Sequence, residues 1–252
     1  MLLARRIRGG YSCLSFHRRP PEMILDPLYF VLLAPAMLLS AWAAFATRSR
    51  FQRWSQVPNR RHVSGAQAAR YILDRNGLTD VQIQPARGML SDHYDPIHRV
   101  VRLSEDVYYG SSISSLAVAA HEVGHAIQHQ QRYLPMQLRN LAVPVASLGS
   151  NLGWFLIMIG FLLSFAQMIW AGVILFTATV AFQVVTLPVE LDASRRAKLE
   201  LDRLAIVSPS EKPGVSKVLT AAAMTYVGAA ITGILTLLYF LLRLGAFSPR
   251  EE

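Results

Sequence analysis

The chain is poor in cysteine and in charge. Of its 252 residues one is cysteine, Cys13, which excludes an intrachain disulfide framework and any cysteine-based zinc finger. Only 16% are Asp, Glu, Lys or Arg, whereas 52% are hydrophobic. The mean hydropathy of +0.30 is too high for a soluble protein of one or two domains. Acidic residues are the scarcer sign, 16 against 25 basic, for a net charge of +9. No basic stripe with interleaved aromatics accompanies that excess, so it fits an anionic lipid surface and not nucleic acid. These shortages describe an integral membrane protein.

The apolar residues are grouped. Met23 to Phe45 is nearly free of charge, and Leu152 to Leu187 and Leu219 to Leu242 carry none. About 20 apolar residues span a bilayer, so each outer run crosses once. The middle run holds two short or tilted spans, a helical hairpin turning near Ser164 to Trp170. The organisation expected is a basic N-terminal extension 1–22, a first transmembrane helix 23–46, a water-facing domain 47–150, a transmembrane hairpin 151–188, a membrane-proximal segment 189–218, a last transmembrane helix 219–243 and a polar tail 244–252.

The water-facing domain reads as a small α+β unit. Ser64-Gly65-Ala66-Gln67 is a capping-box pattern, and the helix it opens should stop at Asn76-Gly77. Val81-Gln82-Ile83-Gln84 alternates like a strand, and His98 to Leu103 looks like a second, with Asp95-Pro96 turning the chain before it. Ser112 to Ala120 then runs without Pro or Gly, and Leu116, Ala119, Ala120, Val123 and Ala126 describe one buried helical face. Ser111, Ser112 and Ser114 are candidate N-caps for this helix.

That helix carries His121-Glu122-Val123-Gly124-His125, the H-E-x-x-H pattern. Histidines four apart lie on one helical face and can reach one ion, while Glu122, rotated aside, faces the water that a catalytic zinc carries. Zinc lowers the pKa of that water toward neutrality, and Glu122 can take its proton. Catalytic zinc sites usually have three protein ligands, so one more must come from elsewhere. Glu190 and Asp192 follow directly on the hairpin, where the chain returns to the side it left, and Glu190 is the favoured third ligand.

From about Met23 onward the chain resembles the bacterial neutral zinc metallopeptidases of the YugP-like type, membrane relatives of the gluzincin peptidases. The resemblance runs through Leu90 to Pro96, Val101 to Ser104, Ala119 to Ala126, Gly149 to Trp154 and Leu187 to Ala197. It implies a mainly α membrane protein of about four transmembrane helices with a small α+β zincin-like catalytic domain, Zn2+ as cofactor and metallopeptidase activity. The order is also similar to the heat-shock membrane peptidases and prenyl-protein endopeptidases, in which a hairpin separates H-E-x-x-H from an E-x-x-A-D segment. Glu190 and Ala193 match that segment, but Ser194 stands where Asp is expected, which leaves Asp192 as the candidate to support the site from behind the ligands. The resemblance starts near Met23, so residues 1–22 are either an upstream extension or lie before the true start.

Other polar residues have less specific readings. His129, one turn beyond His125, reads as a support for the metal site or a helix-surface histidine, because a fourth protein ligand closes the water position. His93 and Tyr94 are candidates for stabilising an oxyanion, with a plain turn role for Asp92 and Asp95 the competing reading. The side shared by the domain and the segment after Asp192 is rich in Arg and Lys, including Arg48, Arg50, Arg53, Arg195, Arg196 and Lys217, which argues for a cytoplasmic active site in a bacterial plasma membrane. Arg5, Arg6, Arg8, Arg18 and Arg19 argue the other way unless the chain starts at Met23. The partners implied are the bilayer and a protein or peptide substrate, with the oligomeric state left open. Two other readings remain, a non-catalytic membrane scaffold, against which Glu122 speaks, and a zinc hydrolase of a non-peptide amide.

Overall fold

Among the described residues, four long apolar helices stand beside a three-stranded sheet and three shorter helices. The computed structural model describes residues 26–88 and 91–245. The basic extension with Cys13, the start of the first span at Met23 and residues 246–252 of the tail lie outside the described residues. Helix α1 (Pro27–Ser55) begins with Pro at its first turn, and the Asp26 carboxylate accepts from Leu28 N at 3.0 Å, so the N-cap sits just before the apolar run. Helix α2 (Gly65–Arg75) opens on the expected capping box, with Ser64 and Gln67 each satisfying the other's backbone N–H. It ends at Asn76, and Gly77 takes the left-handed conformation at φ 71° that stops the helix.

Strands β1 (Gln82–Ala86) and β3 (Val100–Ser104) are those the alternation indicates, and they pair in parallel. Between them β2 (His93–Asp95) adds an antiparallel edge on the other side of β3, giving the order β1-β3-β2. Three residues are too short for an alternation to show, and β2 exists only through its pairing. After the single turn α3 (Glu105–Tyr108), helix α4 (Ile113–Gln130) carries the His-Glu motif, with Ser112 as its N-cap. Val101, Leu103, Leu116, Ala120 and Val123 are fully buried in the core shared by the sheet, α2 and α4.

The hairpin is longer than composition indicates. Its arms are α5 (Leu134–Leu162) and α6 (Ala166–Arg203), so α5 runs across the expected domain boundary at 150 and α6 across the one at 188. Polar residues near 150 do not end α5, because Ser150 Oγ and Asn151 Nδ2 both donate to the Ser147 carbonyl within the helix. Pro188 lies inside α6 without breaking it. Each arm is therefore long enough to span by itself, and Glu190 lies on the same continuous helix as the apolar run that precedes it. The turn between them is Leu163, Ser164 and Phe165, with Ser164 at φ 53° and Phe165 N donating to Gly160 O at 2.8 Å.

Helix α7 (Lys212–Arg243) packs on α1 and α6, and α5 packs on α6. At the face opposite the sheet, Tyr239 of α7 donates to the Asp26 carboxylate at 2.8 Å and Arg243 pairs with it, which ties the start of α1 to the end of α7. At the other face Thr47 Oγ1 donates to Ala221 O at 2.9 Å, and Ser114 Oγ donates to Phe51 O at 2.8 Å. The motif helix is thus pinned to α1, and α1 to α7. All four of these helices, α1, α5, α6 and α7, are long and apolar enough to cross a membrane.

Candidate metal centre

Three side chains from two helices converge. His121 Nε2 lies 3.2 Å and His125 Nε2 3.6 Å from Glu190 Oε2, and the three potential ligand atoms all fall within 4.8 Å of one another. A tetrahedral zinc with bonds of about 2.0–2.1 Å places its ligand atoms roughly 3.3 Å apart, so the spacing fits that ion. The helical positions i and i+4 bring the two imidazoles together, and α6 returning from the hairpin brings the carboxylate.

The rear nitrogens fix how the rings face. Gln128 Nε2 donates to the Val189 carbonyl at 2.8 Å and to Asp192 at 3.0 Å, which leaves its Oε1 to accept from His125 Nδ1 at 3.0 Å. His125 therefore carries its proton on Nδ1 and presents the Nε2 lone pair to the site. His121 Nδ1 lies 3.2 Å from Ser194 Oγ, the same arrangement on the other ring. Ser194 thus occupies the place behind the histidine at the very position where the resembling families carry Asp. Arg139 of α5 stands behind Glu190, its Nη2 3.9 Å from Oε1, the carboxylate oxygen turned away from the histidines.

The electrostatics ask for a cation. Burial alone pushes the Glu190 carboxyl up, yet hydrogen bonds and charge from His121 and His125 hold it well below the usual carboxylate range. Burial likewise pulls His125 down, and the Glu190 hydrogen bond with the Glu122 charge more than reverses this. Glu122 and Glu190 thus make the site favour positive charge, which a divalent metal supplies as well as protons do.

Glu122 lines a cavity of about 140 Å³ together with His121, Glu190 and Ser194, with Thr47 and Phe51 of α1 and with the face of α7 that includes Tyr226. Asp92 also lines it and accepts from Ser104 N and Oγ at 2.7 and 3.0 Å. Burial, with the Glu122 charge, raises the Asp92 carboxyl above its ordinary range against those two hydrogen bonds. His93 and Tyr94 are not among the residues lining the cavity. His93 is exposed and its Nδ1 meets the Ser91 carbonyl, while Tyr94 is buried and its hydroxyl meets His129 Nδ1 at 2.9 Å. Side chains alternate along β2, so His93 faces solvent and Tyr94 faces α4. His129 is engaged by Tyr94 on the sheet side of α4, away from the ligands. Asp192 does stand behind the ligands, through Gln128, and is itself held by Arg195 and Arg196, each at 2.5 Å.

Gln128, Ser194, Arg139 and Asp92 are the residues that sequence reading does not assign to the site. Gln128 is three residues past His125 and Ser194 four past Glu190, so helical spacing alone carries a signal for both. Arg139 carries none, because only the packing of α5 brings it near.

A His-Glu motif helix facing a carboxylate on the returning arm of a membrane hairpin defines an integral-membrane zinc metallopeptidase. The chain belongs to the family described as "Putative neutral zinc metallopeptidase", whose profile matches residues 29–245. It is similar to the "Putative membrane protease YugP" of Bacillus subtilis (strain 168), 48% identical over 215 residues, which are 85% of this chain and 96% of that protein. No solved structure gives a significant match.

Proposed function

We propose that the protein is an endopeptidase that hydrolyses peptide bonds in membrane-associated or misfolded proteins at the membrane boundary, with Glu122 as general base. The observation that carries this reading is that Glu122 lines the same cavity as His121 and Glu190, with its carboxylate free of any ion pair among the described residues. His121, His125 and Glu190 hold the ion, which when bound supplies Lewis acidity and makes water acidic near neutral pH. Glu122 accepts the water proton and then delivers it to the leaving amine. Gln128 and Ser194 keep both rings oriented through their Nδ1 atoms, and Arg139 places a positive charge 3.9 Å from the outer oxygen of Glu190. A scaffold has no use for a base beside the metal. The arginines and lysines flanking the catalytic face, such as Arg48, Arg50, Arg53, Lys198 and Lys217, support a cytoplasmic orientation in a bacterial plasma membrane.

Glu122→Gln keeps the ligands and removes the base. The expected result, in detergent, is about one zinc per chain by elemental analysis in both proteins, with cleavage of casein or a membrane-protein substrate reduced by roughly 10²–10⁴-fold in the variant. Equal cleavage by parent and variant at equal zinc would remove Glu122 from its role.

A further inference from the structure

The cavity beside the metal ligands is two-sided. One side is polar and holds His121, Glu122 and Glu190, and the other is apolar, formed by Phe51 of α1 and by α7. The α7 residues are Val218, Leu219, Ala222, Ala223 and Tyr226, spaced so that they lie on one helical face. Lys217 is the last charge before this face and Arg243 the next along α7, so the wall belongs to the first turns of the membrane span. Its two hydroxyls are already engaged. Thr47 donates to the Ala43 and Ala221 carbonyls, at 2.8 and 2.9 Å, and the Tyr226 hydroxyl is turned to the Glu190 carboxylate on the polar side.

We infer that this apolar wall is a specificity pocket that takes one medium-sized apolar side chain flanking the scissile bond, with Ala222 and Leu219 of α7 setting its depth; the inference rests on the peptidase reading above. Size and chemistry both point there. An apolar cavity of about 150 Å³ accepts a benzene-sized guest, and the cavity of about 140 Å³ includes its polar side, so the apolar side admits at most one side chain of Leu, Met or Phe size. An Asn or Lys side chain placed there loses its water and finds no partner on the wall. Ala222 is half-buried and faces the space, and any larger residue at that position fills it. The substrate class that follows is a protein segment with an aliphatic or aromatic residue next to the cut, lying where the chain meets the bilayer.

The test uses the full chain, zinc-loaded in detergent, with quenched peptides in which the residues on either side of a fixed scissile bond are varied among Gly, Ala, Leu, Phe, Asn and Lys. On one side of the bond the parent should prefer Leu or Phe over Ala and Asn by about tenfold or more in kcat/KM. Ala222→Leu should lower the Leu-to-Ala ratio about tenfold, and Leu219→Ala should move the optimum toward larger side chains. Zinc content is measured on each protein, so that a misfolded variant is recognised, and if Ala222→Leu fails to hold zinc then Leu219→Ala decides. A parent that cleaves without apolar preference, or zinc-bound variants that keep the parent's ranking, overturns the pocket and leaves the peptidase standing. A zinc-loaded parent that cleaves none of the peptides, casein included, overturns the peptidase reading and the pocket with it.

Discussion

Gln128 Oε1 stands 3.0 Å from His125 Nδ1, and the amide is locked in that orientation because its Nε2 has only acceptors, the Val189 carbonyl and Asp192, to face. One side chain on α4 therefore couples a metal ligand to the helix that brings Glu190. Gln128→Leu removes the acceptor and leaves a ring that can turn. Loss of such support typically weakens metal binding by about 10–100-fold. Chelator competition should show that loss, with the helical content by circular dichroism unchanged.

Ser194 accepts from the second histidine, at 3.2 Å from His121 Nδ1, a longer bond to a neutral group. Neutral acceptors hold a ring more weakly than carboxylates. At 3.2 Å against 3.0 Å for the bond to the equally neutral Gln128, the Ser194 bond is the weaker, so Ser194→Ala should weaken zinc by less than Gln128→Leu, within about tenfold, and Ser194→Asp, which supplies a carboxylate, should bind zinc more tightly than the parent. A tighter Ser194→Ala would show that the hydroxyl does not orient His121.

Gly124, the fourth residue of the motif, is where α4 and α6 touch. A Cβ there meets the Ala193 carbonyl oxygen at 2.7 Å, which is backbone and cannot swing aside. Gly124→Ala should push the two helices apart and draw Glu190 from the histidines. The expected outcome is a loss of about 1–3 kcal/mol from overpacking, read as a lower Tm, together with lower zinc occupancy. A variant with a lowered Tm and full zinc would mean that the contact does not set the site.

Asp95 holds the β2 turn by accepting from Arg102 at 2.7 Å and from the backbone and ring of His98. The Arg102 hydrogen bond, with those from His98, keeps its carboxyl well below the ordinary 3.8. A depressed folded pKa contributes stability that is present above 3.8 and lost as pH falls through the folded value. Asp95→Asn should therefore lower the Tm at pH 7, and the gap from the parent should close as the pH is taken below about 4. A gap that stays constant with pH would mean that the charge of Asp95 contributes nothing.

The strongest signals in the sequence were those with a short, periodic cause. Histidines four apart on an uninterrupted helical pattern must share a face, and a capping box followed by Asn-Gly must start and stop a helix, so α2, α4 and the His121–His125 pair were legible. Strand β2 was not, since three residues carry no period. The hairpin is legible but its length is not, because Ser147, Ser150 and Asn151 look like a break in the apolar run when they are in fact bonded within the helix. His93 and Tyr94 illustrate a further gap, since nothing in one strand's sequence says which of its faces turns toward the cavity.

By itself the sequence determined that the chain crosses a membrane, because uncharged runs of that length have no other stable solvent, and that a helix presents two imidazoles and a carboxylate. Tertiary structure decided the rest. Only the return of α6 along α5 selects Glu190 as partner to both Nε2 atoms and sends Asp192, two residues on, to the rear of the site behind Gln128. Only the packing of α7 against α1 gives the cavity its apolar wall. These are contacts between residues far apart in the chain, and no local pattern can encode a distance that depends on how separate helices pack.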